Sequence, residues 1–239
     1  MKKLAVYTVL FTDEPNYLYG DLIPYKHDKD GVDYIAFTNS DYLESDFWDV
    51  RKVDIWRNGR WTARKYKTSP QEFLPEYDAW LWMDHQIYFN YDVRSLFEHY
   101  LINHDLAVHK HCDRNCLYQE TYEGGLKRVP LRDSPESLIN QVKRYEEEGY
   151  PHNAGMYENG ILFRRNNDKI IKMNELWFKE VADWNTEDMQ PMVYSLWKYP
   201  RIKVNAINKT FVAHNYKNKH LQLSDQFSTI PRHKRYVKK

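Results

Sequence analysis

Read only for its apolar and polar positions, the chain alternates short β-rich runs with stretches whose apolar residues recur at helical spacing. Ala5 to Phe11, Val32 to Phe37 and Ala79 to Met83 are near-continuous apolar runs rich in aromatic and β-branched residues. That is the pattern of buried strands. Each breaks into polar residues: Thr12-Asp13-Glu14, Thr38-Asn39-Ser40 and Asp84-His85-Gln86. Val50, Val53 and Ile55 predict a further strand between Trp48 and Trp56, and Leu106-Ala107-Val108 a short one. Helices are predicted over Arg57 to Lys67, Val93 to Leu101, Ser134 to Glu148 and Ile170 to Trp184, the last with Ile170, Met173, Trp177 and Val181 on one face. Thr186-Glu187-Asp188 reads as the cap of one more helix, Met189 to Lys198. Val204, Ile207 and Thr210 to His214 predict a final strand closing on a histidine.

Strands alternating with helices over most of the chain indicate an α/β, Rossmann-like fold. One domain is expected over residues 1–230, followed by a disordered basic tail, 231–239. The stretch from Tyr77 to Asn90 holds the chemistry. A buried strand that delivers a carboxylate at Asp84 needs a cation, a donor or water there, and in open α/β sheets ligands bind at that strand end. The competing reading of Asp84 is a simple turn residue. Arg57, Arg60, Arg64, Lys65 and Lys67 crowd the segment before it. They form either a solvated basic face or, through Arg64 and Lys67 three residues apart on one helical face, a diphosphate clamp. Gly155 and Gly160 bracket Glu158-Asn159, which allows either a turn or close approach of backbone to a ligand.

The formal charge of the 239 residues is +1, so no global field recruits nucleic acid, and no nucleic-acid partner is expected. The basic tail adds only weak attraction to anionic surfaces. With 20 Tyr and 8 Trp the chain is rich in rings that pack on sugars, and equally in rings that fill cores. Two cysteines, Cys112 and Cys116, make no disulfide framework. A zinc site from His109, His111, Cys112 and Cys116 is the weaker alternative to two free thiols, because adjacent ligands at 111 and 112 are awkward. The apolar run at Leu4 to Phe11 is followed directly by Thr12-Asp13-Glu14 and reads as a first strand, not a signal peptide. No apolar run approaches the roughly 20 residues of a membrane span. A cytoplasmic protein is expected.

Several blocks then carry a resemblance. They are Tyr34-Ile35-Ala36-Phe37-Thr38, Ala63-Arg64-Lys65-Tyr66-Lys67 with Phe73-Leu74-Pro75, Tyr77 through Asp84, and His111 with Arg114 to Tyr118 and Glu120. Gly149-Tyr150-Pro151 follows, then Tyr157 through Arg165, Asp188 and Tyr194 to Lys198. In this order they resemble a family of GT-A-fold glycosyltransferases with plant Golgi and bacterial polysaccharide-locus relatives, long catalogued as a domain of unknown function. The resemblance implies a GT-A (Rossmann-like) single domain with a mixed central sheet flanked by helices. It implies a nucleotide-sugar donor and a glycan or other hydroxyl acceptor. Asp84-His85-Gln86 stands where such enzymes carry Asp-x-Asp, which holds Mn²⁺ or Mg²⁺; Gln86 replaces the second acid, and His214 is the implied third ligand. Thr8 and Thr38 fall at the base and ribose, Arg64 and Lys67 at the phosphates, Glu158 and Asn159 at the sugar. Asp188 falls where the general base of an inverting enzyme stands, against the plain reading of a helix cap. The rival readings are a degenerate GT-A domain that binds glycan or nucleotide without turnover, and a hydrolase using Asp84, His85 and His214.

Overall fold

The computed structural model describes residues 1, 3–13, 17–19, 31–85, 87–89, 92–128, 133–208, 227–229 and 236–238. In chain order its strands are β1 (Leu4–Leu10), β2 (Tyr17–Tyr19), β3 (Val32–Thr38), β4 (Asp49–Lys52), β5 (Ala79–Met83), β6 (Ile87–Phe89), β7 (Leu106–Lys110), β8 (Tyr157–Arg165), β9 (Val204–Ile207), β10 (Phe227–Thr229) and β11 (Tyr236–Lys238). The helices are α1 (Gly59–Thr68), α2 (Pro70–Phe73), α3 (Val93–Leu101), α4 (Leu117–Glu120), α5 (Leu126–Arg128), α6 (Pro135–Glu147), α7 (Asp168–Asp183) and α8 (Met189–Lys198). A π-helical turn, Thr121–Gly125, joins α4 to α5.

Seven strands form one sheet in the order β4-β3-β1-β5-β8-β7-β9. It is mixed: β8 runs antiparallel to both neighbours, and the other pairings are parallel. The expected α/β class, with a mixed central sheet flanked by helices, holds. Side chains alternate across β5. Ala79, Leu81 and Met83 pack with α3 through Leu96, Phe97 and Leu101. Trp80 and Trp82 pack on the other face with Tyr66 of α1 and Met173, Trp177 and Val181 of α7. Each large apolar side chain buried this completely contributes roughly 1.5–3 kcal/mol. A third cluster joins α4, α6 and α8 through Leu117, Leu138, Val142, Tyr145, Val193 and Tyr194. Much of the aromatic content is therefore core.

Arg164 of β8 is fully buried and meets no carboxylate among the described residues. Its guanidinium donates to the Lys67 carbonyl at 2.6 Å, to Asn174 Oδ1 at 2.8 Å and to the Tyr7 hydroxyl. Lys67 lies in the last turn of α1, where free carbonyls make a negative helix end that a cation satisfies. Burial lowers the Arg164 pKa from its ordinary value and pushes Tyr7 up to about 12.

After β1 the chain builds β3 and β4 on one side, then crosses back to lay β5 on the other. At that reversal Phe11 and Asp13 after β1 and Asp84 and His85 after β5 border a crevice at the carboxyl ends of the strands. Of the predicted final strand, the part from Thr210 to His214 lies outside the described residues. In the expected disordered tail, Tyr236–Lys238 pairs with β2 instead. None of the described helices is long and apolar enough to cross a membrane.

Candidate active site

The crevice is lined by Asp13 after β1, Gly59, Arg60 and Arg64 of α1, and Trp82 and Asp84 of β5 and its end. Asn58 caps α1 by accepting the Trp61 N–H at 3.0 Å, and Asp13 Oδ1 accepts the Gly59 N–H at 2.6 Å. A β-carbon at Gly59 would lie 3.2 Å from Phe11 Cβ, so the small residue lets the helix start against β1. That placement aims Arg60, Arg64 and Lys67, successive on one helical face, along the crevice and beneath it.

Lys67 is the centre of the site. Its ammonium, almost wholly buried, lies 2.7 Å from Asp188 Oδ2, 3.0 Å from Asn159 Oδ1 and 4.0 Å from Asp84 Oδ1. Asp84 is fixed through its backbone N–H to the Gly160 carbonyl (2.9 Å), and its Oδ1 also accepts the Trp82 indole N–H (3.1 Å). Asp188 occupies the N-cap position of α8 but makes no side-chain capping bond. Its carboxylate turns instead to Lys67 and to Arg64, 3.0 Å away. Burial would raise its pKa, but the charges of Arg64 and Lys67 outweigh that and hold it well below the usual carboxylate range. Arg64 Nε donates to the Thr186 carbonyl and Arg60 Nε to the Thr186 hydroxyl, at 2.8 and 2.6 Å.

Asn159 reaches Lys67 through an irregularity in β8. Val108 pairs with Leu162 but His109 with Glu158, so residues 159–161 have no partner in β7. Such bulges re-aim side chains beside sites. Glu158, the other half of the expected sugar-binding pair, points elsewhere. Its Oε1 accepts the Cys112 N–H at 3.4 Å, its second oxygen has no hydrogen-bond partner among the described residues, and burial raises its pKa.

Behind Asp188 runs an ion-pair chain that the spacing of the sequence did not signal. Glu187 is held by Arg128 at 2.9 Å and by Arg60 at 3.7 Å. Arg128 also meets Glu120 at 2.6 Å, and Glu120 meets Arg114 at 2.6 Å and His111 Nε2 at 3.3 Å. Burial would raise the Glu120 pKa, yet the His111 hydrogen bond and the Arg128 charge bring it down to about 2. The π-helical turn makes room for this contact: a β-carbon at Gly124 would lie 2.6 Å from Glu120 Oε1.

Thr38 donates to the Leu10 carbonyl at 2.7 Å and accepts the Ser40 N–H at 3.0 Å, tying the end of β3 to that of β1. Thr8 is fully buried within β1 and is not among the residues lining the crevice. Gln86 and His214, the other two implied metal ligands, lie outside the described residues. Of the implied ligands only Asp84 is described, and Mn²⁺ or Mg²⁺ takes several oxygen ligands. Asp84 offers one carboxylate, and an ammonium stands 4.0 Å from its Oδ1.

Among the described residues the one group of potential ligands is His111, Cys112 and Asp113, which leaves out His109 and Cys116 of the weaker zinc alternative. Both cysteines are free. Burial, then a hydrogen bond to Asp113, pushes the Cys112 thiol up to about 12. His111 Nδ1 accepts the N–H groups of Asp113 and Arg114, each at 3.2 Å.

No protein-family model matches the chain, and no curated protein matches it. The bifunctional glycosyltransferase WbbM matches in structure with a TM-score of 0.52 at 10% identity, over 86% of this chain and 39% of its own. The chain thus spans well under half of that protein. Mouse xyloside xylosyltransferase 1 aligns over 86% of this chain and 85% of its own at 10% identity, TM-score 0.47. The galactosyltransferase LgtC, solved with donor and acceptor sugar analogues, aligns over 86% and 73% at 12% identity, TM-score 0.47. At 10% identity the likeness to WbbM is one of fold alone, a GT-A-type α/β architecture with a mixed central sheet flanked by helices.

Proposed function

We propose that the chain is a glycosyltransferase that moves a hexosyl or pentosyl group from a nucleoside-diphosphate sugar to a hydroxyl of a glycan or other acceptor. The observation that carries this reading is convergence. Arg64 of α1 and Asp84 after β5 line one switch-point crevice, and Lys67 of α1, Asn159 of β8 and Asp188 before α8 are buried against them, although the five come from distant parts of the chain. The GT-A-type fold supports the same reading.

In this reading Arg64, a forked donor at the crevice, and Lys67, a point charge, bind the diphosphate oxygens. Asp84, partly exposed, accepts hydrogen bonds from ribose or sugar hydroxyls. Asn159 orients the sugar from beneath. Asp188 has two tasks in sequence. In the free protein it neutralises Arg64 and Lys67, and a carboxylate so paired is a weak base. When the diphosphate takes over those cations, Asp188 regains proton affinity and accepts the proton of the acceptor hydroxyl, which inverts the anomeric centre. The leaving group is then the nucleoside diphosphate, stabilised by the cations it has recruited.

The test is a thermal-shift and calorimetric screen of UDP, GDP, CDP, TDP and ADP, followed by transfer or donor hydrolysis assays with the matching sugar nucleotides. Binding with turnover supports the enzyme. Nucleotide binding without any turnover selects the degenerate binding domain, and bond cleavage without a nucleotide requirement selects a hydrolase.

A further inference from the structure

Building on the donor-site reading, we infer that Lys67 and Arg64 supply the positive charge for the diphosphate, and that donor binding needs no divalent metal. The geometry that carries this is the placement of Lys67 between two carboxylates. Its ammonium is 4.0 Å from Asp84 Oδ1 and 2.7 Å from Asp188 Oδ2, so it stands where a pair of acids would otherwise share a cation. The Asp84 oxygen that faces it also accepts the Trp82 N–H, and the Lys67 ammonium lies 5.4 Å from the Trp82 ring centre. The residue two after Asp84 is a neutral amide, Gln86, so the motif brings a single acid.

The charge is fixed in place by the fold. Arg164 and Tyr7 both donate to the Lys67 backbone carbonyl, at 2.6 and 3.1 Å, and Asn159 Oδ1 accepts a hydrogen bond from the ammonium. Arg64 is anchored by Thr186 and by Asp188. Asp188 therefore stands in for the anion: it spans the guanidinium and the ammonium as a phosphate oxygen would, and an incoming diphosphate displaces it. Lys and Arg do this work elsewhere as a point charge and a planar fork for phosphate.

The experiment is calorimetry of the full chain with UDP, GDP, CDP, TDP and ADP, in EDTA and again in excess Mn²⁺ or Mg²⁺. The expected result is one nucleotide whose Kd is unchanged, within about threefold, between the two conditions. Lys67→Met and Arg64→Met, checked for folding by circular dichroism, each weaken it by about tenfold or more, the equivalent of about 1.4 kcal/mol. A nucleotide that binds only with metal overturns this inference and leaves the donor reading standing. No binding of any nucleotide in either condition removes the donor reading and this inference with it. Metal-independent binding that survives both substitutions in folded protein overturns the assignment to Lys67 and Arg64. The metal comparison uses the unsubstituted chain, so it decides even where a variant fails to fold.

Discussion

The Lys67 ammonium and the Asp188 carboxylate meet at 2.7 Å, both almost wholly buried, although 121 positions separate them in the chain. Asp188 gives up the capping bond that its place before α8 would allow. Capping bonds of this kind stabilise by roughly 0.5–2 kcal/mol, so the pair with Lys67 and Arg64 outweighs the local preference. The first prediction follows from this choice. Asp188→Asn keeps the shape and removes the charge. Transfer falls by about 10²- to 10⁴-fold, the usual worth of a general base, while nucleotide binding is kept or tightened because the competing anion is gone. Asp188→Asn retaining most of the activity would show that Asp188 only holds the cations in place. The variant is also less stable by roughly 3–5 kcal/mol, since the buried Lys67 and the partly exposed Arg64 lose their shared partner.

Glu120 sets a pH dependence. Its pKa in the folded protein, about 2, lies below the ordinary value of 4.5. Between these values the unfolded chain binds the proton and the folded protein does not. The contribution is therefore complete above about pH 4.5 and is lost as pH falls towards about 2. At about 1.4 kcal/mol per pH unit the difference is worth about 3 kcal/mol. In urea titrations from pH 7 to pH 2.5, Glu120→Gln is the less stable protein at neutral pH and shows a shallower acid loss than the parent. Parallel slopes would mean that other carboxylates, Asp188 among them, account for the acid sensitivity.

Gly124 tests the π-helical turn. The β-carbon of Gly124→Ala would lie 2.6 Å from Glu120 Oε1 and 2.9 Å from an Arg128 guanidinium nitrogen. Either the turn or the ion pair must shift, at a cost of roughly 1–3 kcal/mol. Arg128 also holds Glu187, next to Asp188, so a lower Tm is expected together with weaker nucleotide binding. A Tm within about 1 °C of the parent, against the 2–4 °C that about 1 kcal/mol shifts a domain of this size, would show that the turn has slack.

Much of this site is legible before folding, and the illegible part has physical reasons. The limits of β5 and α3 follow from apolar pattern alone, because both are buried elements with polar ends. Arg64 and Lys67 fall on one face by helical spacing, and Asp84 follows from a strand that ends in an acid. The direction of β8 leaves no mark, since a strand buried on both faces reads the same in either sense. The bulge at 159–161 is hidden as well, and it separates Asn159 from Glu158, which the sequence offers as a pair. Arg128 and Glu187 find each other across 59 positions, a contact that no local spacing encodes. Arg164 is the hardest to foresee: in Phe163-Arg164-Arg165 it reads as the polar end of a strand, yet it is fully buried.

That burial carries the last prediction. Arg164 donates to three neutral acceptors and meets no carboxylate among the described residues, so its guanidinium bears a desolvation cost offset by hydrogen bonds and by the Trp177 ring, 5.8 Å away. Arg164→Met keeps a long side chain and removes the charge. Relief of desolvation favours the variant; the stranded Asn174 Oδ1 and the lost bond to the Lys67 carbonyl oppose it. The Tyr7 hydroxyl still donates to that carbonyl at 3.1 Å, so one bond survives. The net expectation is a loss of about 1–3 kcal/mol, the cost of leaving a buried acceptor unmet. Nucleotide affinity falls with it, because Lys67 is no longer fixed at its backbone. Thermal unfolding and calorimetry on the same preparation separate the two effects. A variant of parental stability that binds nucleotide at least tenfold more weakly would make Arg164 a positioning residue for Lys67. Lower stability with unchanged affinity would confine Arg164 to closing the end of α1.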